Sequence, residues 1–241
     1  MVANSSINNG KPEKAWTNDL FREFLWSSKS GTFEQVVFPG MFPDMTRWQA
    51  EESQNLVFAD KDPWRLDPVQ TTQHWSLIAG TAKLVSGGGP FDLTAVVEVT
   101  YPDKGGPTTG IPITKVSLSR LEGAVNGVWE ITSVSSDWLF IYTPESGTTI
   151  SSPVTVTGYG PQFEAVIGTV YIRDHLYNEI QVGNNFAMAT DGSSPPSKFS
   201  LDVKYTSSST GIAQEGIVEL AHSSGASFAR GTVMVKVLIG G

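Results

Sequence analysis

Apolar and polar residues alternate in short runs through the second half of the chain. Clusters of Gly, Pro, Asn and Ser interrupt these runs roughly every ten residues, a spacing typical of strands joined by tight turns. Short strands at this spacing predict an antiparallel β-sandwich. The runs that predict strands are 154–158, 165–173, 179–182, 185–190, 198–205, 215–222 and 232–239.

The middle of the chain also carries alternating runs. The pair Asn126-Gly127 is a strong signal for a hairpin turn. Residues 73–85 are interpreted as a strand with a bulge at Gly80. Three further runs place apolar side chains on one face and polar side chains on the other, and so predict long strands: 91–101, 113–121 and 128–134.

Helical spacing is clearest near the start of the chain. Trp16, Leu20 and Phe24 recur every four residues and form one apolar stripe, which predicts an amphipathic helix. Pro12 suits the first turn of this helix and Gly31 suits its end.

These elements predict a chain of two folded domains. We expect a flexible polar lead-in over residues 1–13, an α+β domain over 14–142 and an all-β sandwich over 143–241. The sandwich follows from a long series of strands without a helical pattern between them.

In the first domain we expect helices packed on one face of a curved antiparallel sheet. A short second helix is predicted to begin at Asp44 as its N-cap. The order of elements, with the closing phrase NGVWEITSV at 126–134, resembles the cone-shaped fold of the nuclear transport factor two-like superfamily. This resemblance covers residues 14–140 and implies a pocket inside the cone.

The second domain carries more specific motifs. Residues 150–164 have the opening I-x-S-P-x-x-V-x-G…F-E, and residues 199–205 have the alternating pattern F-x-L-x-V-x-Y. Together they resemble the immunoglobulin-like domain of bacterial spore germination proteins. The sequence departs from that pattern at 175–178, where His-Leu-Tyr-Asn stands in place of a glycine turn. The resemblance implies a bacterial envelope or exported setting, and it brings no catalytic residue with it.

Composition excludes several classes of function. The net charge of −8 and pI of about 4.9 argue against nucleic acid and anionic membrane surfaces as partners. The absence of Cys excludes thiol catalysis, disulfides and Cys-ligated zinc. The sequence has no 18-residue apolar run, so we expect no direct membrane insertion.

The first residues leave two cellular settings open. MVANSSINNGKPEK has no apolar core of a signal peptide. The protein is therefore either cytoplasmic, or exported with a signal that this sequence lacks, including the signal of a lipoprotein. A polar tether ahead of the first element favours the second alternative, so we expect an extracytoplasmic, cell-surface or secreted protein.

Candidate catalytic residues are few. His74 with Asp60, Asp62 or Asp67 would form a general acid/base set if all faced the mouth of a cone. The alternative is a polar loop whose Asp residues form turns. The same Asp residues have oxygen ligands for calcium, but the rest of a calcium-binding loop is missing, so we predict no metal and no cofactor.

Two other patterns have a structural and a functional interpretation. His175 and His222 lie outside any motif and are interpreted as exposed structural residues. Trp48, Trp64 and Trp75 concentrate in the first half. They would either line a cavity for an apolar or saccharide ligand or fill the core between helix and sheet.

Three functional hypotheses follow. The first is a non-enzymatic binding or adaptor module of the bacterial cell envelope, linked to sporulation or germination, whose partner is wall glycan or an envelope protein. The second is an acid/base enzyme or small-ligand binder that uses the pocket of the cone domain. The third is an inert structural spacer.

Overall fold

A computed structural model describes residues 22–78, 80–101, 113–120, 126–162, 164–190, 196–207, 212–223 and 230–240. The helices of these ranges are α1 (Arg47–Phe58) and α2 (Pro68–His74), with a 3-10 turn at Pro63–Leu66 between them. The strands are β1 (Glu23–Ser27), β2 (Thr32–Val36), β3 (Thr81–Gly87), β4 (Thr94–Thr100), β5 (Thr114–Ser119), β6 (Glu130–Ser136), β7 (Phe140–Thr143), β8 (Thr149–Ile150), β9 (Val154–Gly160), β10 (Val166–Arg173), β11 (Gln181–Val182), β12 (Phe186–Met188), β13 (Ser197–Tyr205), β14 (Gln214–Ser223) and β15 (Arg230–Ile239).

One large sheet runs through both halves of the chain. Its strand order among the described residues is β12-β10-β14-β15-β6-β5-β4-β3, and β8 pairs with β15 in parallel. The strands of the two halves meet where β15 pairs with β6, at Met234 and Val134. A smaller sheet has the order β11-β13-β9-β7, and β1 and β2 form a two-stranded sheet. The predicted domain boundary at residue 143 stays a prediction.

The second half forms the predicted sandwich. The smaller sheet packs on β10, β14 and β15 through a core that includes Val156, Ile172, Phe199 and Val218, all at most 2% exposed. Gly158 lies inside β9, which extends two residues beyond the strand predicted over 154–158. A side chain there would collide with the Phe140 carbonyl group and the Phe199 ring, so the close approach of these strands requires glycine.

A second core covers the opposite face of the large sheet. Because side chains alternate along β14 and β15, Ile217 and Met234 point away from the sandwich and join this core. Trp75 and Trp129 are its largest fully buried side chains. The irregular segment 38–46 and the turn after α2 cover much of it.

The predicted helix over residues 12–31 is wrong where the structure describes it. Residues 23–27 and 32–36 form the hairpin β1–β2, in which Trp26 and Phe33 pair across the strands at 5.3 Å. Gly31 adopts a left-handed backbone (φ 68°) in the hairpin turn rather than at a helix end. The Ser- and Gly-rich turn and the aromatic strand residues outweigh the four-residue spacing. Residues 12–21 lie outside the described ranges.

The α+β fold class predicted for the first domain is also wrong. In the described part of this half, strands contain more residues than helices, and no cone of helices on a curved sheet is present there. The helix predicted from Asp44 has Thr46 as its N-cap. The strand predicted over 73–85 begins only at Thr81, because α2 extends to His74. The resemblance to the nuclear transport factor two-like superfamily has no support. Neither described α-helix is long and apolar enough to cross a membrane.

Candidate functional site

His74 and Asp67 lie at opposite ends of α2. The Asp67 side chain caps the helix by accepting from the backbone N–H groups of residues 69 and 70. The His74 ring stacks on Trp64 at 4.2 Å, and its Nδ1 lies 2.9 Å from the Gln70 carbonyl oxygen. Both residues therefore have local structural contacts.

Asp60 and Asp62 lie in the connection between α1 and the 3-10 turn. Both adopt left-handed backbone angles, with φ of 56° and 52°. Asp62 lies 3.9 Å from Arg65. Among the described residues no group of three or more His, Asp or Glu is arranged to hold a metal ion. An acid/base role for His74 with these Asp residues stays a prediction.

The three predicted ligand-binding tryptophans differ in exposure. Trp75 is 2% exposed and belongs to the core, whereas Trp48 on α1 is 42% exposed. Phe42 stacks on both Trp75 and Trp64, with ring centroids 5.2 Å and 6.2 Å away. The structure therefore brings Trp64 and Trp75 into one aromatic cluster, and a ligand role for the three stays a prediction.

Two histidines expected at the surface are buried. His175 is 4% exposed, with Nδ1 3.1 Å from the Gln214 side-chain oxygen. His222 is 5% exposed, and its Nδ1 contacts the Ile167 carbonyl group. Burial lowers the pKa of His222.

An open cavity of about 210 Å³ lies on the face of the large sheet that points away from the sandwich core. Strands β10, β14 and β15 supply its floor, and the turn after α2 and the end of β4 supply its wall. We call it the seam cavity because its lining comes from both halves of the chain. The lining residues are Ser76, Leu77, Tyr101, Tyr171, Arg173, Glu179, Glu219, Ala221 and Thr232.

A charged triad stands in the seam cavity. Arg173 Nε donates to Glu219 at 2.6 Å, and Arg173 Nη1 lies 3.3 Å from Glu179. The side chains of Arg173 and Glu219 are 8% and 4% exposed, whereas that of Glu179 is 50% exposed. Burial raises the pKa of Glu219, and the adjacent guanidinium opposes this effect.

Strand alternation explains the positions of Arg173 and Glu219 in this triad. Along β10, Val170 and Ile172 face the sandwich core, so Tyr171 and Arg173 face the cavity. In the ladder between β10 and β14, Glu219 lies directly opposite Tyr171. The guanidinium of Arg173 is 4.9 Å from the centre of the Tyr171 ring.

A tight turn after β10 places Glu179. One Asp174 carboxylate oxygen accepts from the backbone N–H groups of Leu176 and Asn178, each at 2.9 Å. Tyr177 adopts a left-handed backbone (φ 64°) in the position where glycine was expected. The chain then returns, and Glu179 forms a β-bridge with Arg173.

Contacts with the first half stabilise the unusual backbone of Tyr177. Its hydroxyl donates to the Met41 carbonyl oxygen at 2.7 Å, and its ring packs edge-on against Trp75. Burial raises the pKa of Tyr177 well above its usual range. The turn that positions Glu179 is thus attached to segment 38–46.

A buried lysine holds segment 38–46 on the large sheet. Lys236 on β15 is 1% exposed and donates to the carbonyl oxygens of Gly40 and Met45. Its ammonium lies 3.4 Å from Glu215, which also accepts from the Phe38 N–H at 3.0 Å. Burial lowers the pKa of Lys236 and raises that of Glu215, while their attraction opposes both shifts.

A pair of carboxyl groups lies under the same segment. Glu130 on β6 is fully buried and accepts from the Asp44 N–H at 3.2 Å. Arg65 donates to the Asp44 carboxylate at 2.9 Å. Burial raises the pKa of Glu130 well above its usual range, and the nearby Asp44 charge adds to this effect. Because this pair does not line the seam cavity, we interpret it as one of the contacts that hold segment 38–46 on the large sheet.

The outer face of the smaller sheet carries exposed aromatic residues. Phe140 and Tyr159 stack across β7 and β9 at 4.5 Å, and Tyr142 lies 5.6 Å from Tyr159 and is 54% exposed. We call these three residues the aromatic ridge. Lys198 lies beside Tyr159 on the neighbouring strand β13.

Comparison with known families supports the predicted immunoglobulin-like part. Residues 139–226 match the model of the immunoglobulin-like domain of bacterial spore germination. No curated protein and no solved structure matched the chain significantly. The match covers strands β7 to β14 and includes neither β15 nor the first half of the chain.

Sequence reasoning missed the charged triad. Glu219 is separated from Arg173 by 46 positions, and both follow an apolar residue, as on a solvated strand face. The available signal was the recurrence of Glu215, Glu219 and Lys236 on strands whose other face is mostly apolar. Charges at these positions show that the other face of the two strands is polar, but the sequence pattern does not show that this face is buried by the rest of the chain.

Proposed function

We propose that the protein is a non-catalytic binding module of the bacterial cell envelope and that it holds a small polar group of an envelope component in the seam cavity. The envelope setting is supported by the match of residues 139–226 to a domain of spore germination proteins. The observation that carries the binding role is the charged triad, which stands in a cavity with a polar lining.

Binding rather than catalysis is favoured by the contacts of the triad. Glu219 and Glu179 both lie against Arg173, at 2.6 Å and 3.3 Å. A general base needs a carboxylate free to accept a proton at its reactive oxygen. Two carboxylates that share one guanidinium are better suited to fixed hydrogen bonds with a ligand.

Retention on purified cell walls that keep their attached polysaccharides tests this function. Ala221 lines the cavity, so Ala221→Phe fills it without removing a charge. Ser200→Phe is the matched control, because Ser200 is exposed on β13 of the smaller sheet. We expect the wild type and Ser200→Phe to be retained and Ala221→Phe to be lost. Absence of wild-type retention, or equal retention of all three proteins, would overturn the proposal.

A second function, as an adaptor for an envelope protein, is favoured by the aromatic ridge. Exposed tyrosines are common at the centres of protein interfaces, where single residues supply much of the affinity. We expect Tyr142→Ser to abolish capture of a discrete partner from envelope extract, while Lys204→Ser at the same sheet leaves it unchanged. A partner retained equally by both variants would remove the ridge from the interface.

A further inference from the structure

We infer that the seam cavity recognises a vicinal diol on a single uncharged sugar ring. This inference rests on the proposed function and adds the chemistry of the group that is bound. It depends on the order of charges in the triad, on the size of the cavity and on its two tyrosines.

The triad alternates acceptor, donor and acceptor. Glu179 and Glu219 lie on either side of Arg173, which uses Nε toward Glu219 and Nη1 toward Glu179 and the Tyr177 carbonyl oxygen. Among the contacts of the described residues none involves Arg173 Nη2, which remains available as a donor toward a ligand. A hydroxyl group both donates and accepts. Two adjacent hydroxyls can therefore accept from the guanidinium and donate to a carboxylate at the same time.

Local charge disfavours an anionic ligand, and the existing ion pairs disfavour a cationic one. The cavity lining has two carboxylates and one guanidinium, and the whole chain has a net charge of −8. A carboxylate or phosphate ligand would lie next to both glutamates, and an ammonium ligand would compete with Arg173 for the two carboxylates that the guanidinium already pairs. A neutral ligand leaves these pairs in place and still makes charge-assisted hydrogen bonds, which are stronger than neutral ones.

The size of the cavity suits one ring of a neutral ligand. The cavity of about 210 Å³ corresponds to roughly seven waters at ~30 Å³ each, which is the space of one sugar ring. Tyr101 and Tyr171 both line the cavity, and aromatic side chains present a large apolar surface on which the C–H groups of a sugar ring can pack. Ser76 and Thr232 add hydroxyl groups that can bond further ring substituents.

The two halves of the chain both contribute to this site. Ser76 and Tyr101 come from the wall, and Arg173, Glu219 and Thr232 come from the strands of the floor. Thr232 itself is 3% exposed, and its backbone N–H bonds the Thr114 hydroxyl on β5. The floor is therefore held rigidly, as hydrogen-bond recognition of a small ligand requires.

Ligand-observed NMR with the full chain tests the inference. The probes are methyl glycosides of glucose, galactose and mannose, their mono-deoxy analogues, and sodium acetate and methylammonium chloride as ionic probes. We expect at least one glycoside to bind and the matching deoxy analogue to bind about tenfold more weakly, because a buried polar partner is left unpaired. Neither ionic probe is expected to bind.

Two variants connect the binding to the triad. Glu179→Gln changes an exposed side chain, so folding is preserved, and we expect about a tenfold loss of glycoside affinity from the weaker hydrogen bond. Glu52→Gln on α1 is the matched control and is expected to have no effect. Arg173→Lys is expected to lose binding, provided that its circular dichroism spectrum matches the wild type.

The possible results separate the two proposals. Binding of an ionic probe in preference to every glycoside, with loss in Glu179→Gln, would overturn the diol inference and leave the cavity as a binding site. Equal binding of a glycoside and all its deoxy analogues would overturn the inference as well. Glycoside binding without retention on cell walls that keep their polysaccharides would support the inference and remove the proposed wall partner. No binding of any probe, together with no retention, would overturn both.

Discussion

Replacement of Lys236 by Met is expected to destabilise the protein strongly. The lysine is 1% exposed, and its ammonium contacts Glu215 and two carbonyl oxygens of segment 38–46. Methionine has a similar length but leaves these partners without a donor. We expect the free energy of unfolding to fall by about 3–5 kcal/mol, the usual cost of removing one member of a buried ion pair.

The magnitude follows from three contributions. The carbonyl oxygens of Gly40 and Met45 each lose a donor, and a buried acceptor left unpaired costs about 1–3 kcal/mol. Glu215 loses its cation and keeps only the Phe38 N–H as a partner. The apolar methionine side chain offsets part of this loss, because it is more favourable than lysine in a buried position.

Urea denaturation monitored by tryptophan fluorescence measures the effect. Lys204→Met changes an exposed lysine on β13 and is expected to stay within about 0.5 kcal/mol of the wild type. The double variant Lys236→Met/Glu215→Gln removes the unpaired charge, so we expect it to be about 1–3 kcal/mol more stable than Lys236→Met alone. A loss below about 1 kcal/mol for Lys236→Met, or no recovery in the double variant, would refute a paired and buried ammonium.

Three further predictions concern the carboxyl pair, the turn and the domain division. Because the folded pKa of Glu130 is raised, its contribution to stability is complete below the unfolded pKa of about 4.3 and is lost as pH rises through the folded pKa. Glu130→Gln should therefore reduce the fall in unfolding free energy that the wild type shows above about pH 4.3. Parallel plots of unfolding free energy against pH for the variant and the wild type would contradict this. Asp174→Ala removes the acceptor of two backbone N–H groups, so a loss of about 1–3 kcal/mol is expected in the same urea assay, and an unchanged midpoint would show that the turn does not depend on this carboxylate. A fragment of residues 139–241 exposes Ile217 and Met234 to water, so it should aggregate or give a poorly dispersed NMR spectrum, whereas a monomeric, well-dispersed fragment would support an independent second domain.

The sandwich strands could be predicted from sequence because each has one mostly apolar face. The strand predicted at 198–205 is Ser197–Tyr205 in the structure, and the one predicted at 215–222 is Gln214–Ser223. Their apolar positions are consecutive members of the sandwich core, such as Val218 and Leu220. Where one face of a strand is buried, apolar residues recur at every second position, and this pattern distinguishes a strand from a helix.

The pairing that continues the large sheet from the sandwich into the first half of the chain could not be predicted in the same way. The second face of β14 and β15 carries Glu215, Glu219 and Lys236, residues that usually lie in water. In this fold each of them is at most 3% exposed and has a charged partner. Paired charges in a buried position have the same sequence pattern as solvated charges. For this reason the sequence predicted neither the charged triad nor the contacts that hold segment 38–46 on the large sheet.

The two faces of β14 and β15 connect the family match to the proposed site. One face builds the sandwich, and the part of the sandwich that matches the spore germination domain, residues 139–226, includes β14 but not β15. The other face supplies the floor of the seam cavity. The wall of the cavity comes from residues 76, 77 and 101 of the first half, and Thr232 of the floor lies outside the matched residues. The immunoglobulin-like domain alone would therefore present the triad to bulk water, where charge-assisted hydrogen bonds to a ligand compete with solvent. The first half of the chain converts a charged sheet surface into a cavity, and so the proposed binding should require the full chain.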